Sequence, residues 1–157
     1  MAWVALAVAV LADSNHHVLS VPHMDRRDIS AEEANRRAEL GRWGEQIASD
    51  FLAKEKGFLI LDRNWKSKYH YELDIVALGE GRLHFVEVKT RLAPVEIDPI
   101  LAITRTKLAK IMQGARLYKK YRRLEGEDTI DGISIIVRSR TDYDFHFYPD
   151  IHLRTLH

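Results

Sequence analysis

The sequence contains no cysteine among its 157 residues. This absence excludes disulfide bonds, thiolate zinc sites and cysteine nucleophiles, and it agrees with the cytoplasmic location that we expect. The net charge is only +1, so the overall charge does not by itself predict a polyanionic partner. The composition, with 46% hydrophobic and 30% charged residues, is typical of a soluble globular domain.

Long apolar runs are also missing. Residues 2–12 are apolar, but a transmembrane helix needs about 20 such residues, so we expect no membrane partner. No Lys or Arg precedes Arg26, which argues against a secretory signal, although Ala7-Val8-Ala9 keeps that alternative open. We predict an N-terminal extension with Met24 as a possible start, one domain and a short tail: residues 1–29, 30–150 and 151–157.

Helical and strand patterns alternate along the rest of the chain. Ser30 and Glu33 form a capping box for a helix that runs to about Lys56, where Gly57 ends it. The segments that follow are a strand at 58–61, a polar loop or edge at 64–71, strands at 72–78 and 83–90, a helix at 100–124, and strands at 130–137 and 144–148. This order predicts a mixed α/β fold around one sheet.

A short Gly-rich link joins the strands at 72–78 and 83–90, which predicts a hairpin. We expect Leu78 to lie opposite Leu83 across this link. The register matters because side chains alternate between the faces of a strand, so that a slip of one residue moves every side chain to the other face.

That register places ionisable side chains on matching faces, with Asp74 opposite Glu87 and Glu72 opposite Lys89. Two opposed carboxylates in apolar surroundings cost stability unless a cation lies between them. Mg²⁺ or Mn²⁺ prefers such oxygen ligands and can activate a water molecule for attack on phosphate. Lys89 could orient that water or bind the phosphate. The alternative interpretation is an ordinary ion-paired sheet surface.

The first helix adds another candidate carboxylate, Glu45, among small and apolar neighbours. A solvated glutamate on the flank of the helix is the alternative. Gly41 and Gly44 each cost about 1 kcal/mol relative to alanine inside a helix. They therefore predict that the sheet or a ligand approaches this helix closely.

Residues 104–123 contain eight positive charges and no acidic residue. Such a concentration of charge favours contact with phosphates, with a solvated helix face as the alternative. The apolar stripe predicted to be buried consists of Leu108, Ile111, Met112, Ala115, and Leu117 or Tyr118. Tyr118 and Tyr121 could stack on bases, but we favour core packing or a position along the protein surface for both. A second, weaker basic and aromatic cluster comprises Arg63, Trp65, Lys66 and Lys68.

Four motifs in this order resemble the YraN-like family of uncharacterised bacterial proteins, a branch of the PD-(D/E)XK nuclease superfamily. The motifs are Leu40-Gly41-Arg42-Trp43-Gly44-Glu45, Asn64-Trp65, Tyr71-Glu72-Leu73-Asp74-Ile75-Val76-Ala77 and Phe85-Val86-Glu87-Val88-Lys89-Thr90-Arg91. The sequence departs from the family pattern at Tyr71, where glycine is usual, after Arg91, and before Asp131. These departures concern substrate contacts more than metal chemistry.

The resemblance implies the restriction endonuclease-like αβββαβ core, with a mixed central sheet flanked by helices. It implies Asp74 and Glu87 as metal ligands, Lys89 as the catalytic lysine, and Glu45 and Glu72 as supporting acids. Lys107 and Asp131 look like a helix lysine and a strand aspartate of the family. The residues predicted to contact nucleic acid are Arg91, Arg105, Lys107, Lys110 and Arg116.

We therefore expect a Mg²⁺-dependent or Mn²⁺-dependent endonuclease that acts on DNA in preference to RNA, with selectivity for DNA structure left open. A non-catalytic nucleic-acid-binding domain is the main alternative, and a small-molecule phosphodiesterase is a third. A homodimer would suit a resolvase-like role, but the sequence shows no clear interface pattern.

Overall fold

The computed structural model describes residues 26–151, and the side chains of residues 30–151. The elements in chain order are helix α1 (Arg26–Lys54), strands β1 (Leu59–Lys66), β2 (Glu72–Gly79) and β3 (Arg82–Leu92), helix α2 (Arg105–Arg122), and strands β4 (Asp128–Ser139) and β5 (Asp142–Tyr148). A short 3₁₀ helix, Pro99–Ala102, precedes α2. This order confirms the predicted mixed α/β fold. None of the described helices is long and apolar enough to cross a membrane.

The five strands form one sheet in the order β1-β2-β3-β4-β5. Strands β3 and β4 pair in parallel, whereas the other neighbouring strands are antiparallel. A parallel pair needs a long crossover, and here the crossover contains α2. Strand β3 is therefore the central strand and is hydrogen-bonded on both sides.

The sheet has a separate apolar core on each face. On the α1 side, Ala48 and Leu52 pack with Ile75, Val86 and Ile133. The opposite core is built from α2 and the other faces of β2 and β3; it contains Leu73, Val76, Leu83, Phe85, Ile111, Ala115 and Tyr118. Burial on both faces explains why β3 reads as an almost continuous apolar run interrupted by a few charged residues.

Helix α1 begins earlier than its predicted cap. Residues 26–29 are already helical, so Ser30 lies inside the helix and the predicted capping box is wrong. The prediction for the C-terminal end is better, because Gly57 has a φ of +68°, the left-handed conformation expected just after a helix. The glycines also differ: a Cβ at Gly44 would overlap Thr90 of β3, but a Cβ at Gly41 would meet nothing within 4 Å. Only Gly44 marks a close approach.

Two other predicted boundaries change in the structure. Strand β1 continues through Lys66, so part of the segment predicted as a loop or edge is an edge strand. The helix predicted at 100–124 is divided into the 3₁₀ helix and α2, because Thr104 provides a new N-cap and its side chain accepts the Lys107 amide at 3.1 Å.

The predicted terminal extensions lie largely outside the described residues, which exclude 1–25 and 152–157. Met24 is among the excluded residues. At the C-terminal boundary, Ile151 is buried and its amide donates to the Ile130 carbonyl at 2.7 Å. The domain boundaries therefore stay predictions.

Candidate active site

The hairpin of β2 and β3 has the predicted register, with Leu78 opposite Leu83, and its last pair is Ile75 with Val86. Strand β2 stays paired with β1 as far as Glu72, so here β2 leaves β3 but keeps its other neighbour. Asp74 lies one residue beyond the last pair. Its Oδ2 accepts the Val88 amide at 2.8 Å, so a carboxylate satisfies a donor of β3 where the ladder ends.

The departure of β2 also breaks its alternation. Ile75 packs in the α1-side core and Val76 in the α2-side core, as alternation requires. Leu73 should then share the face of Ile75, but it packs in the α2-side core. The expectation of strict alternation across Asp74 is therefore wrong, because the strand turns where it loses its partner.

Glu87 is the acidic centre of the site, with 2% of its side chain exposed. Its Oε1 contacts the ammonium of Lys89 and lies 3.0 Å from Nζ of Lys107. Lys89 comes from the same face of β3, and Lys107 comes from the first turn of α2. The two lysines remain partly exposed, so the buried carboxylate is connected to solvent through its cations.

Asp74 and Glu87 influence one another electrostatically. The pKa of Asp74 is raised to about 6, first by burial and second by the negative charge of Glu87. The Val88 hydrogen bond and the ammonium groups of Lys107 and Lys89 act in the opposite direction. A carboxyl whose ionised form is disfavoured by burial and by a like charge gains from any nearby cation.

Glu72 is not opposite Lys89, and that part of the prediction is wrong. Glu72 pairs with Lys66 of β1, both in the strand register and through an ion pair of 2.8 Å. The Lys66 hydrogen bond is the main reason why the pKa of Glu72 is lowered, with a further contribution from Lys107. Glu72 therefore borders the site and does not belong to its buried centre.

The structure places Glu45 on α1 near the same border. Its charge contributes to raising the pKa of Lys66, although the hydrogen bond that Lys66 donates to Glu72 contributes more. Glu45 is half-buried. Asp74 therefore lies at the centre of the site, and Glu72 lies at its border. Glu45 acts electrostatically on Lys66, the lysine that Glu72 binds.

The basic residues of α2 divide into two groups. Near its C-terminal end, Lys119 binds Asp128, and Arg122 binds Asp62 at 2.6 Å. These carboxylates come from other strands, so the lack of acidic residues within the helix does not leave all its charges unpaired. Nearer the site, Lys110 and Arg116 are exposed and form no ion pair with any residue from 30 to 151.

The remaining predicted phosphate contacts lie at the same end of the molecule. Arg105 is exposed in the first turn of α2. Arg91 is exposed near the end of β3, and its Nη1 donates to the Thr90 carbonyl at 2.9 Å. These positions place positive charge on both sides of Lys89 and Lys107.

The apolar stripe of α2 differs from its prediction at Met112, which is exposed. Gly114 takes part instead, because Leu73 and Tyr71 lie against it too closely for a larger residue without adjustment. Tyr118 is buried and packs edge-on against Trp65 at 5.4 Å, which confirms core packing for this residue and leaves it no role in stacking on bases. Tyr121 is exposed, with its ring 6.4 Å from that of Trp65.

Asp131 does not join the site. It lies on β4 on the α1 side of the sheet, where its Oδ2 is 2.6 Å from Nδ1 of His84. Its Oδ1 accepts the Asp150 amide at 2.8 Å. Nε2 of His84 lies 3.1 Å from the Gly79 carbonyl, which can only accept, so this nitrogen carries a hydrogen. The analysis of the sequence missed this pair, because a lone histidine in a strand carries no distinctive spacing.

Across residues 26–151, no group of three or more His, Cys, Asp and Glu side chains is arranged to hold a metal ion. The candidate donor set is therefore the pair Asp74 and Glu87. Val88 binds Oδ2 of Asp74, and the lysines contact Oε1 of Glu87. Oδ1 and Oε2 are the oxygens that these contacts leave for a cation.

Comparison with known proteins places the chain in a family. The profile of the "Uncharacterised protein family UPF0102" matches residues 44–142. A UPF0102 protein of Syntrophomonas wolfei is 41% identical over 100 residues, which cover 63% of this chain and 85% of that protein. UPF0102 proteins of Chlorobium chlorochromatii and Bacteroides thetaiotaomicron are 37% identical over 105 residues and 40% identical over 98 residues. These alignments cover 67% and 62% of this chain, and 80% and 79% of those relatives.

The matched segment contains strands β1 to β4 in full and only the first residue of β5. It also contains Asp74, Glu87, Lys89 and Lys107. The chain therefore belongs to family UPF0102, the YraN family, within the restriction-endonuclease-like superfamily.

Proposed function

We propose that this protein is a divalent-metal-dependent endonuclease that hydrolyses phosphodiester bonds in nucleic acid, with DNA favoured over RNA. One observation carries the proposal: the half-buried carboxylate of Asp74 and the buried carboxylate of Glu87 lie beside the ammonium groups of Lys89 and Lys107, where β2 leaves β3. The preference for DNA rests on fold analogy, since restriction enzymes and Holliday-junction resolvases share this core.

The donor chemistry fits Mg²⁺ or Mn²⁺. Mg²⁺ is usually held by one or two carboxylates and keeps several waters, so Asp74 and Glu87 suffice as protein ligands. The raised pKa of Asp74 supports this assignment, because a cation would favour the ionised form that burial disfavours. When bound, the metal would polarise a phosphate oxygen and increase the acidity of a water molecule.

The protein's own side chains have distinct tasks in the hydrolysis. The Val88 amide orients Asp74, which together with Glu87 provides the carboxylate oxygens. Lys89 contacts Glu87, a proposed metal ligand. From this position its ammonium group could donate a hydrogen bond to the phosphate or to the attacking water. Lys107 adds positive charge where negative charge grows on the phosphate. In the overall reaction, water adds across a P–O bond and yields a phosphate monoester and a hydroxyl group.

Helix α2 supports the binding of nucleic acid beside this centre. Lys107 reaches Glu87, and the exposed Lys110 and Arg116 follow along the same helix. A chain of phosphates could therefore contact α2 while one phosphate meets Lys89. Such contacts are independent of base sequence and weaken as salt concentration rises.

The test is cleavage of duplex, single-stranded and branched DNA, and of RNA, with Mg²⁺ or Mn²⁺. Wild type is compared with Asp74→Asn and Lys89→Ala. Lys54→Ala is the matched control, because Lys54 is exposed on α1 and pairs with Asp50. We expect wild type and the control to cleave, and each site variant to lose roughly 100-fold or more of the rate. Equal cleavage by all four proteins would identify a contaminating nuclease and overturn the proposal.

A non-catalytic nucleic-acid-binding domain is the second candidate. The observation that favours it is that Lys89 and Lys107 already compensate the charge of Glu87 within the protein. Under this alternative, wild type binds nucleic acid in a salt-sensitive way and cleaves none of the substrates with either metal. Asp74→Asn then leaves the binding unchanged.

A further inference from the structure

The turn between β1 and β2, residues 67–71, is held in one conformation by Ser67. The hydroxyl of this buried serine accepts the amides of Tyr69 at 3.2 Å and Tyr71 at 3.0 Å. The Ser67 amide donates to the Tyr71 carbonyl at 2.9 Å, and the His70 amide donates to the Ser67 carbonyl at 3.1 Å. The backbone is therefore fixed without help from the side chains of residues 68–70.

Those three side chains, from Lys68, Tyr69 and His70, all point into solvent. The Tyr69 ring is 57% exposed, and Nζ of Lys68 lies 5.0 Å from its centroid. A large aromatic ring exposed at the tip of a rigid turn has no packing role in the fold. The same turn adds a cation next to the ring, which is the combination that binds bases together with their phosphates.

The turn lies beside the candidate active site. Tyr71 packs against Gly114 of α2, and its strand leads directly to Asp74. Lys66 precedes the turn and Glu72 follows it, and their side chains form an ion pair of 2.8 Å. Glu72 begins β2 directly after the turn and lies two residues before Asp74, so the turn borders the candidate site.

We propose that Tyr69 is a stacking site for an unpaired nucleobase next to the phosphate that Lys89 and Lys107 would contact. Bases within a duplex are covered on both faces by their neighbours, so an isolated tyrosine can stack only on a base at an end, a flap or a single strand. This inference rests on the proposed nuclease function and narrows its substrate to nucleic acid with unpaired nucleotides near the cleaved bond.

The test measures binding in EDTA, so that cleavage does not intervene. Fluorescence anisotropy gives the Kd for a single-stranded oligonucleotide and for a blunt duplex of the same length. The variants are Tyr69→Ala and Tyr69→Phe. The matched control is Leu59→Ala, because Leu59 is 62% exposed on β1 and lies at the end of this strand opposite to the turn.

We expect Tyr69→Ala to weaken single-strand binding by roughly 5- to 20-fold and duplex binding by less than about twofold. Tyr69→Phe keeps the ring and should bind like wild type, as should Leu59→Ala. Equal losses on both nucleic acids, or no loss on the single strand, would overturn the stacking site.

The failures of the two proposals are distinguishable. If Tyr69→Ala binds single strands selectively less well but wild type cleaves nothing with Mg²⁺ or Mn²⁺, the stacking site stands as a binding site and the nuclease proposal falls. If wild type cleaves, and Tyr69→Ala binds and cleaves single strands as well as wild type does, the nuclease proposal stands and the stacking site falls. Failure of wild type to bind either nucleic acid overturns both.

Discussion

Strand β3 carries buried ionisable side chains on both faces. On the α1 side, His84 binds Asp131, which is 1% exposed and also accepts the Asp150 amide. On the α2 side, Glu87 is 2% exposed and contacts Lys89 and Lys107, which reach solvent. Both acids are equally deep in the protein, but only Glu87 lies beside a second carboxylate whose pKa is raised.

The difference shows that burial of an acid does not by itself identify a functional site. Asp131 contacts His84, Thr129 and the Asp150 amide, all within the fold, so its environment demands nothing from outside the protein. Asp74 and Glu87 are held together despite their repulsion, next to cations that a substrate can reach. Such an arrangement costs stability, and a bound cation or phosphate would recover part of that cost.

The largest expected effect separates the two faces by activity. Glu87→Gln removes a proposed metal ligand, so we expect cleavage to fall by roughly 1,000-fold, measured as the initial rate at saturating Mg²⁺. The midpoint of urea unfolding should change little, because Lys89 and Lys107 can turn to solvent. If Glu87→Gln instead loses stability but cleaves at the wild-type rate once folded, Glu87 would be a structural residue and not a metal ligand.

The second effect separates the two faces by stability. Asp131→Ala leaves His84 and the Asp150 amide without their acceptor in a closed core, so we expect a loss of about 3–5 kcal/mol in the free energy of unfolding. Urea denaturation followed by circular dichroism measures this loss. The cleavage rate per folded molecule should stay within about twofold of wild type. A selective loss of rate would mean that Asp131 serves the site after all.

A third prediction uses the pH dependence of stability. The pKa of Asp74 in the folded protein, about 6, lies above the ordinary aspartate pKa of 3.8. As the pH rises, Asp74 therefore loses its proton at a lower pH in the unfolded chain than in the folded protein. Wild type therefore loses stability between about pH 4 and pH 6, and the loss is complete above that range, at about 3 kcal/mol. Asp74→Asn lacks this loss, so it should match wild type at pH 4 and be more stable at pH 8.

Asp50→Asn is the control for that measurement. Its hydrogen bond from Lys54 lowers the pKa of the Asp50 carboxyl, which is the opposite direction. The control should therefore show no gain in stability at pH 8. Equal unfolding curves for wild type and Asp74→Asn at both pH values would contradict the raised pKa of Asp74 and the repulsion between Asp74 and Glu87 that contributes to it.

The smallest expected effect locates the edge of the site. Glu72→Gln breaks an exposed ion pair with Lys66, so the free energy of unfolding should change by less than about 1 kcal/mol. Cleavage should fall by less than about tenfold, because Glu72 lies outside the buried pair. A loss as large as that of Glu87→Gln would place Glu72 among the ligands.

Much of this arrangement could be predicted from the sequence. Alternating side chains and the Gly-rich link were sufficient for the hairpin and for the register of Leu78 with Leu83, because both depend on local geometry. The same reasoning could not show where the β2–β3 ladder ends. The end of this ladder depends on the pairing of β2 with β1, which continues to Glu72. Because the β2–β3 ladder ends before Asp74, the Asp74 carboxylate accepts the Val88 amide.

The errors share a physical cause in contacts between distant parts of the chain. Glu72 pairs with Lys66 because β1 continues through a segment whose polar composition indicated a loop. Arg122 finds Asp62, sixty residues earlier, so charge counting within α2 overestimated its unpaired charge. Met112 is exposed because Gly114 brings α2 closer to Leu73 than a larger side chain would allow.

The parallel pairing of β3 with β4 also constrains when the site can form. The ten paired positions run from Leu83 with Asp128 to Leu92 with Val137, so the central strand waits for a partner synthesised much later. Until β4 leaves the ribosome, Glu87 has no complete sheet around it. A chain that stops before Asp128 therefore carries Asp74, Glu87, Lys89 and Lys107 without the sheet that brings them together in the candidate site.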